Sequence, residues 1–118
     1  MNLKHVDPPR RHLVVDGHAE QVADIMLEAD EQVTFCTLDG AEYDVAMKKW
    51  GLYATPSLGG RLPRLGLRPV LVRNDSGLYL MLVEIGKEES FGADMLSAGL
   101  EIYDWLDSGM AEIMQKKK

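Results

Sequence analysis

Arg61, Arg64, Arg68 and Arg73 fall within thirteen consecutive positions. With Lys48 and Lys49 they make six cations in a stretch, residues 45–74, that contains no Asp or Glu. Guanidinium groups are forked donors suited to phosphate and carboxylate oxygens. Just upstream, Thr55 and Pro56 read as a helix start, the threonine as a cap and the proline at the first helical position. A turn opening there would aim the amides of Ser57, Leu58 and Gly59 outward, and Gly59 and Gly60 would admit a ligand close to the backbone. Thr55, Ser57, Gly59, Gly60, Arg61, Arg64, Arg68 and Arg73 are therefore the candidate residues for an anion or an acidic partner. Trp50 and Tyr53, beside two lysines, are candidate stacking residues.

The same residues also suit a plain connector. Glycines make turns, Leu58, Leu62, Leu65 and Leu67 plug a core, and the arginines pair with acids elsewhere. "TPSLGGRLPR" is neither the phosphate loop G-x-x-x-x-G-K-[ST] nor the dinucleotide fingerprint G-x-G-x-x-G. Pro63 and Gly66 keep any helix there short.

Other chemistry is thinner. His12, Asp16 and His18 flank one turn and offer nitrogen and oxygen ligands, but two histidines without a cysteine make a weak metal site, and a helix cap explains Asp16 as well. Cys36, the only cysteine, reads as a small buried hydrophobe within a strand. No G-x-S-x-G elbow supplies a nucleophile. Glu88 with Glu89, and Asp104 with Asp107, are acid pairs without evidence of the burial that would separate their pKa values. No catalytic residue, metal or cofactor is nominated.

The whole chain carries 118 residues and a net charge of −6, so the sequence outside the basic stretch stands at −12. That total disfavours a surface given over to nucleic acid or an anionic membrane. Hydrophobic residues at 46% and charged residues at 27% fit one globular domain. One cysteine excludes an internal disulfide, and no apolar run approaches a membrane span, which points to a cytoplasmic protein.

These residues must be positioned by few elements. Residues 1–11, with Asp7-Pro8-Pro9, read as a flexible extended arm, 12–114 as a single globular domain, and 115–118 as a frayed basic tail. Residues 12–15 read as a short strand. Asp16 as N-cap, with Val22, Ile25, Met26 and Ala29 at helical spacing, predicts a helix over about 17–31. Residues 33–49 read as a hairpin turning at Asp39-Gly40, and 69–85 as a second hairpin turning at 74–77. Leu78 to Val83, apolar on both alternations, predicts a central strand, and Pro69 belongs at a strand start or outer edge. A helix within 86–99 stopping at Gly99, a strand over 100–106 and a terminal helix complete the chain.

The expected fold is α+β: a single small domain with a mixed or antiparallel sheet of about five strands built from two hairpins, and helices packed mainly on one face. The expected function is a small non-catalytic binding or accessory domain that meets an acidic protein surface or a small anionic ligand through residues 48–73. Nucleic acid is the less favoured partner. One alternative is a small enzyme binding a phosphorylated or carboxylated metabolite at the 55–61 turn. Another is a purely structural subunit, dimerising through Ile102, Trp105, Leu106, Met110, Ile113 and Met114.

Overall fold

The computed structural model describes residues 1–15 and 17–107. The expected terminal helix, the 115–118 tail, and Met110, Ile113 and Met114 lie outside these residues, as does Asp16. Among the described residues 57% are strand and 15% helix, arranged in three small antiparallel sheets. This overturns the α+β expectation of one five-stranded sheet with helices on one face.

The first sheet is a long hairpin of β1 (Asn2–Val14) and β2 (Gly17–Met26), closed at Val14 opposite Gly17. Gly17 has φ +108°, which explains a glycine at this turn. The helix expected over 17–31 is therefore a strand followed by a turn. Its helical stripe had nothing to pack on: Val22, Ile25 and Met26 stay exposed. Pairing with β1 satisfies the backbone instead, and the same residues accept a strand conformation because tertiary pairing outweighs weak intrinsic preference. The segment read as an arm supplies most of β1.

The second sheet orders β3 (Gln32–Cys36), β4 (Glu42–Lys48) and β5 (Gly51–Ala54). The turn at Asp39-Gly40 forms as expected, with Gly40 at φ +93°. Cys36, expected to be buried, is exposed at the end of an edge strand.

The third sheet orders β7 (Gly77–Glu84), β6 (Leu67–Asn74) and β8 (Glu101–Trp105). Asn74 Oδ1 accepts the amides of Ser76 and Gly77 and so shapes the turn. The centre is β6, not the 78–83 strand: Leu78 and Leu80 on β7 are exposed, while Val70 and Val72 are fully buried. Pairing with β8 begins at Val70, so Pro69, which lacks a donor, sits just beyond that ladder.

Helix α2 (Glu88–Ser97) covers one face of this sheet with Phe91 and Met95. It ends with Gly99 at φ +76°, the Gly99 amide bonding Leu96 O and the Leu100 amide Met95 O, the paired stop expected of a C-terminal glycine. Val70, Val72, Val83, Met95 and Leu100 form the larger core, against which Val15 at the hairpin turn also packs. A smaller core of Ala41, Leu62 and Leu67, joined by Tyr43, Leu58 and Leu82, ties the second sheet to the third. No helix of the described residues is long and apolar enough to cross a membrane.

Candidate functional site

The connector between β5 and β6 contains one helical turn, α1 (Arg61–Arg64), not a helix opening at Pro56. Ser57 organises it: its Oγ accepts the Arg61 amide at 2.9 Å and its carbonyl accepts the Leu62 amide. Pro63 is tolerated because first-turn amides have no helical acceptor. Leu62 points inward and is fully buried. Thr55 does not cap the helix. Its amide bonds Asp44 O, and its Oγ1 is buried without a hydrogen-bond partner. Gly60 precedes the turn, where an added Cβ would come within 2.7 Å of Ser57 Oγ.

The arginines diverge. Arg61 Nη2 donates to Asp44 Oδ2 at 2.9 Å. Arg68 donates through Nε to Asp107 Oδ2 at 2.8 Å and through Nη1 to Glu88 Oε2 at 3.3 Å, and its guanidinium lies 4.2 Å from the centre of the Trp105 ring. Arg73 forks onto Glu101 and lies 4.8 Å from the Tyr103 ring centre. Asp107 and Glu101 respectively hold Arg68 and Arg73 above the ordinary arginine range, chiefly by hydrogen bonding. Lys48 is paired with Asp30 at 2.6 Å. Among the described residues, Lys49 and Arg64 are the cations of the basic stretch that have no ion pair.

Arg64 lines a cleft with Asp39, Gly66, Glu84 and Lys87, about 250 Å³ in volume. Lys87 bridges Asp39 and Glu84 there, so the two cations face two acids and the cleft has little net pull on an anion. Among the described residues, three further clefts lie beside α2 and the 74–75 turn, and the lining of these four includes no residue of the 55–61 turn. His12 Nε2 is hydrogen-bonded to Gln21, and His12 and His18 occupy adjacent register positions, hence opposite faces of the hairpin. Among the described residues no three His, Cys, Asp or Glu side chains gather to hold a metal.

One buried acid escaped the sequence reading. Asp44 is 5% exposed and accepts from Thr34 Oγ1 at 2.6 Å as well as from Arg61. Its only sequence signal is its place on an alternating strand. The other omission is exposure at the β4–β5 turn. Trp50 is 73% exposed, Leu52 and Tyr53 are exposed beside it, and the Trp50 and Tyr53 rings lie 6.4 Å apart. Lys49 adjoins them in the turn.

No known protein family, curated protein or solved structure matches this chain. Function is accordingly read from its own geometry.

Proposed function

We propose that this chain is a small binding domain, without chemistry of its own, whose basic segment 48–73 meets an acidic partner protein. Contact runs through the near end of that segment, Lys49, Trp50, Leu52 and Tyr53, while Arg61, Arg68 and Arg73 serve the fold. The observation that carries this reading is an exposed tryptophan and tyrosine side by side at a turn with an unpaired lysine. Aromatic anchors ringed by polar groups are where protein interfaces concentrate their energy. The lysine sets the preferred sign of the partner.

An enzyme at the 55–61 turn has less support, because Arg61 is engaged by Asp44 and Ser57 by the Arg61 amide. Stacking on nucleic acid uses the same aromatics, but the net charge of −6 opposes it.

The test is display selection of short random peptides on the full chain. Enriched peptides should pair acids with apolar residues, bind more weakly as salt rises, and lose binding to a Trp50→Ala/Tyr53→Ala variant of unchanged melting temperature. Peptides indifferent to that variant overturn the reading, as does a failure to enrich alongside tight binding of single-stranded oligonucleotides.

A further inference from the structure

The anchors of the proposed interface lie along the free edge of a sheet. β5 is the outer strand in the order β3-β4-β5, and its Leu52, Tyr53 and Ala54 are all exposed. The Thr55 amide donates to Asp44 O at 3.1 Å, and bonded pairs of an antiparallel ladder recur at every second residue. The bonded pairs of β4 and β5 are therefore Ala46 with Tyr53 and Lys48 with Gly51. Leu52 and Ala54 turn their amides and carbonyls the other way.

Met47 bears this out. It stands opposite Leu52, yet its amide bonds Glu31 O and its carbonyl the Asp30 amide, both at 2.8 Å and on the β3 side. Among the described residues no backbone hydrogen bond from another element reaches Leu52 or Ala54. β5 contains no proline, and Pro56 lies beyond its end. Such an edge is an unguarded template for one more strand.

We infer, resting on the reading that Lys49, Trp50, Leu52 and Tyr53 receive an acidic partner, that the partner enters as an extended segment paired with the outer edge of β5. The occupant follows from hydrogen-bonding capacity and charge. Outward amides and carbonyls two residues apart match the backbone of an extended chain, and a helix, whose own backbone groups are bonded internally, presents no such row. Side chains of the added strand alternate between the faces of the sheet. One set meets Tyr53 and the Trp50 ring 6.4 Å from it, and the other meets Leu52 and Ala54. Lys49, at the turn that opens the strand, sits in a stretch, 45–74, without Asp or Glu, so it favours an acid at that end of the segment. The same edge of a second copy is the wrong occupant, because it brings Lys48 and Lys49 and no acid.

The test uses the full chain and the acid-bearing peptides enriched by the display selection. With the tightest of them bound, hydrogen exchange at the Leu52 and Ala54 amides should slow about tenfold. N-methylation of the peptide, one amide at a time, should weaken binding about tenfold at every second position and little at those between. Leu52→Pro removes an amide that bonds nothing within the chain, and it should weaken binding by a similar factor at an unchanged melting temperature. The methylation series decides whether or not that variant folds. Peptides that need Trp50 and Tyr53 but show no alternation, or that leave the Leu52 and Ala54 amides exchanging freely, overturn the inference and leave the proposed function standing. Peptides indifferent to the Trp50→Ala/Tyr53→Ala variant overturn both, as does a selection that enriches none. A dimer of the chain alone that Leu52→Pro dissolves overturns the choice of occupant.

Discussion

Asp44, on the middle strand of the second sheet, and Arg61, on the helical turn of the connector, meet at 2.9 Å. The carboxylate is buried and the arginine side chain is 54% exposed. The arginine thus neutralises a charge that β4 carries into the interior, and with Thr34 it satisfies both carboxylate oxygens. A buried ion pair contributes little to net stability, yet removing one partner is costly because it strands the other.

Arg61→Ala is therefore expected to destabilise the fold by about 2 kcal/mol, an amount moderated because solvent reaches the arginine. Asp44→Ala/Arg61→Ala should cost less than the two single losses combined. Urea denaturation midpoints of the four proteins check this, and simple additivity would show that the pair acts as two independent groups.

Gly66 and Leu62 join the connector to the smaller core. Gly66 has φ +95°, and an added Cβ would come within 3.1 Å of Ala41 Cβ and 3.3 Å of Ala41 Cα. Gly66→Ala therefore meets both backbone strain and a close neighbour, and an expected loss of about 2 kcal/mol follows. Leu62→Ala empties a fully buried site and should cost about 3 kcal/mol. Trp50→Ala, by contrast, should leave the thermal midpoint unchanged, since its ring is largely in solvent.

Glu88 ties acidity to stability. Its carboxylate accepts the Gly86 amide at 2.6 Å and also meets Arg68. Hydrogen bonds from its own amide and that of Gly86 lead in holding its pKa below the ordinary 4.5, with Arg68 adding to them. A folded pKa below the unfolded one contributes stability that is present above the unfolded value and lost as pH falls through the folded value. The melting temperature should therefore drop as pH is lowered below about 4.5, and Glu88→Gln should flatten part of that slope. Melting curves across this range for both proteins decide it, and identical slopes would remove Glu88 from the account.

Much of this protein was legible in its residues alone. Asp39-Gly40 and the 74–77 turn announced two hairpins, because turn chemistry is local. Gly99 marked the end of α2, and the acids at Glu88 and Glu89 its beginning, for the same reason. The segment 17–26 was misread because its apolar spacing fits a helix, while its actual partner, β1, includes residues back to Asn2. Leu78 to Val83 looked central because apolarity on both alternations does not reveal strand order.

The site divides along the same line. Composition located the basic stretch and its arginines, since charge is a property of residue type. Only the tertiary structure could send Arg61 to Asp44, Arg68 to Asp107 and Glu88, and Arg73 to Glu101, acids separated from them by as many as 39 positions. It also decided that Trp50 faces solvent and that Asp44 does not, because burial depends on which distant segments pack together, and the spacing of neighbouring residues carries no record of that.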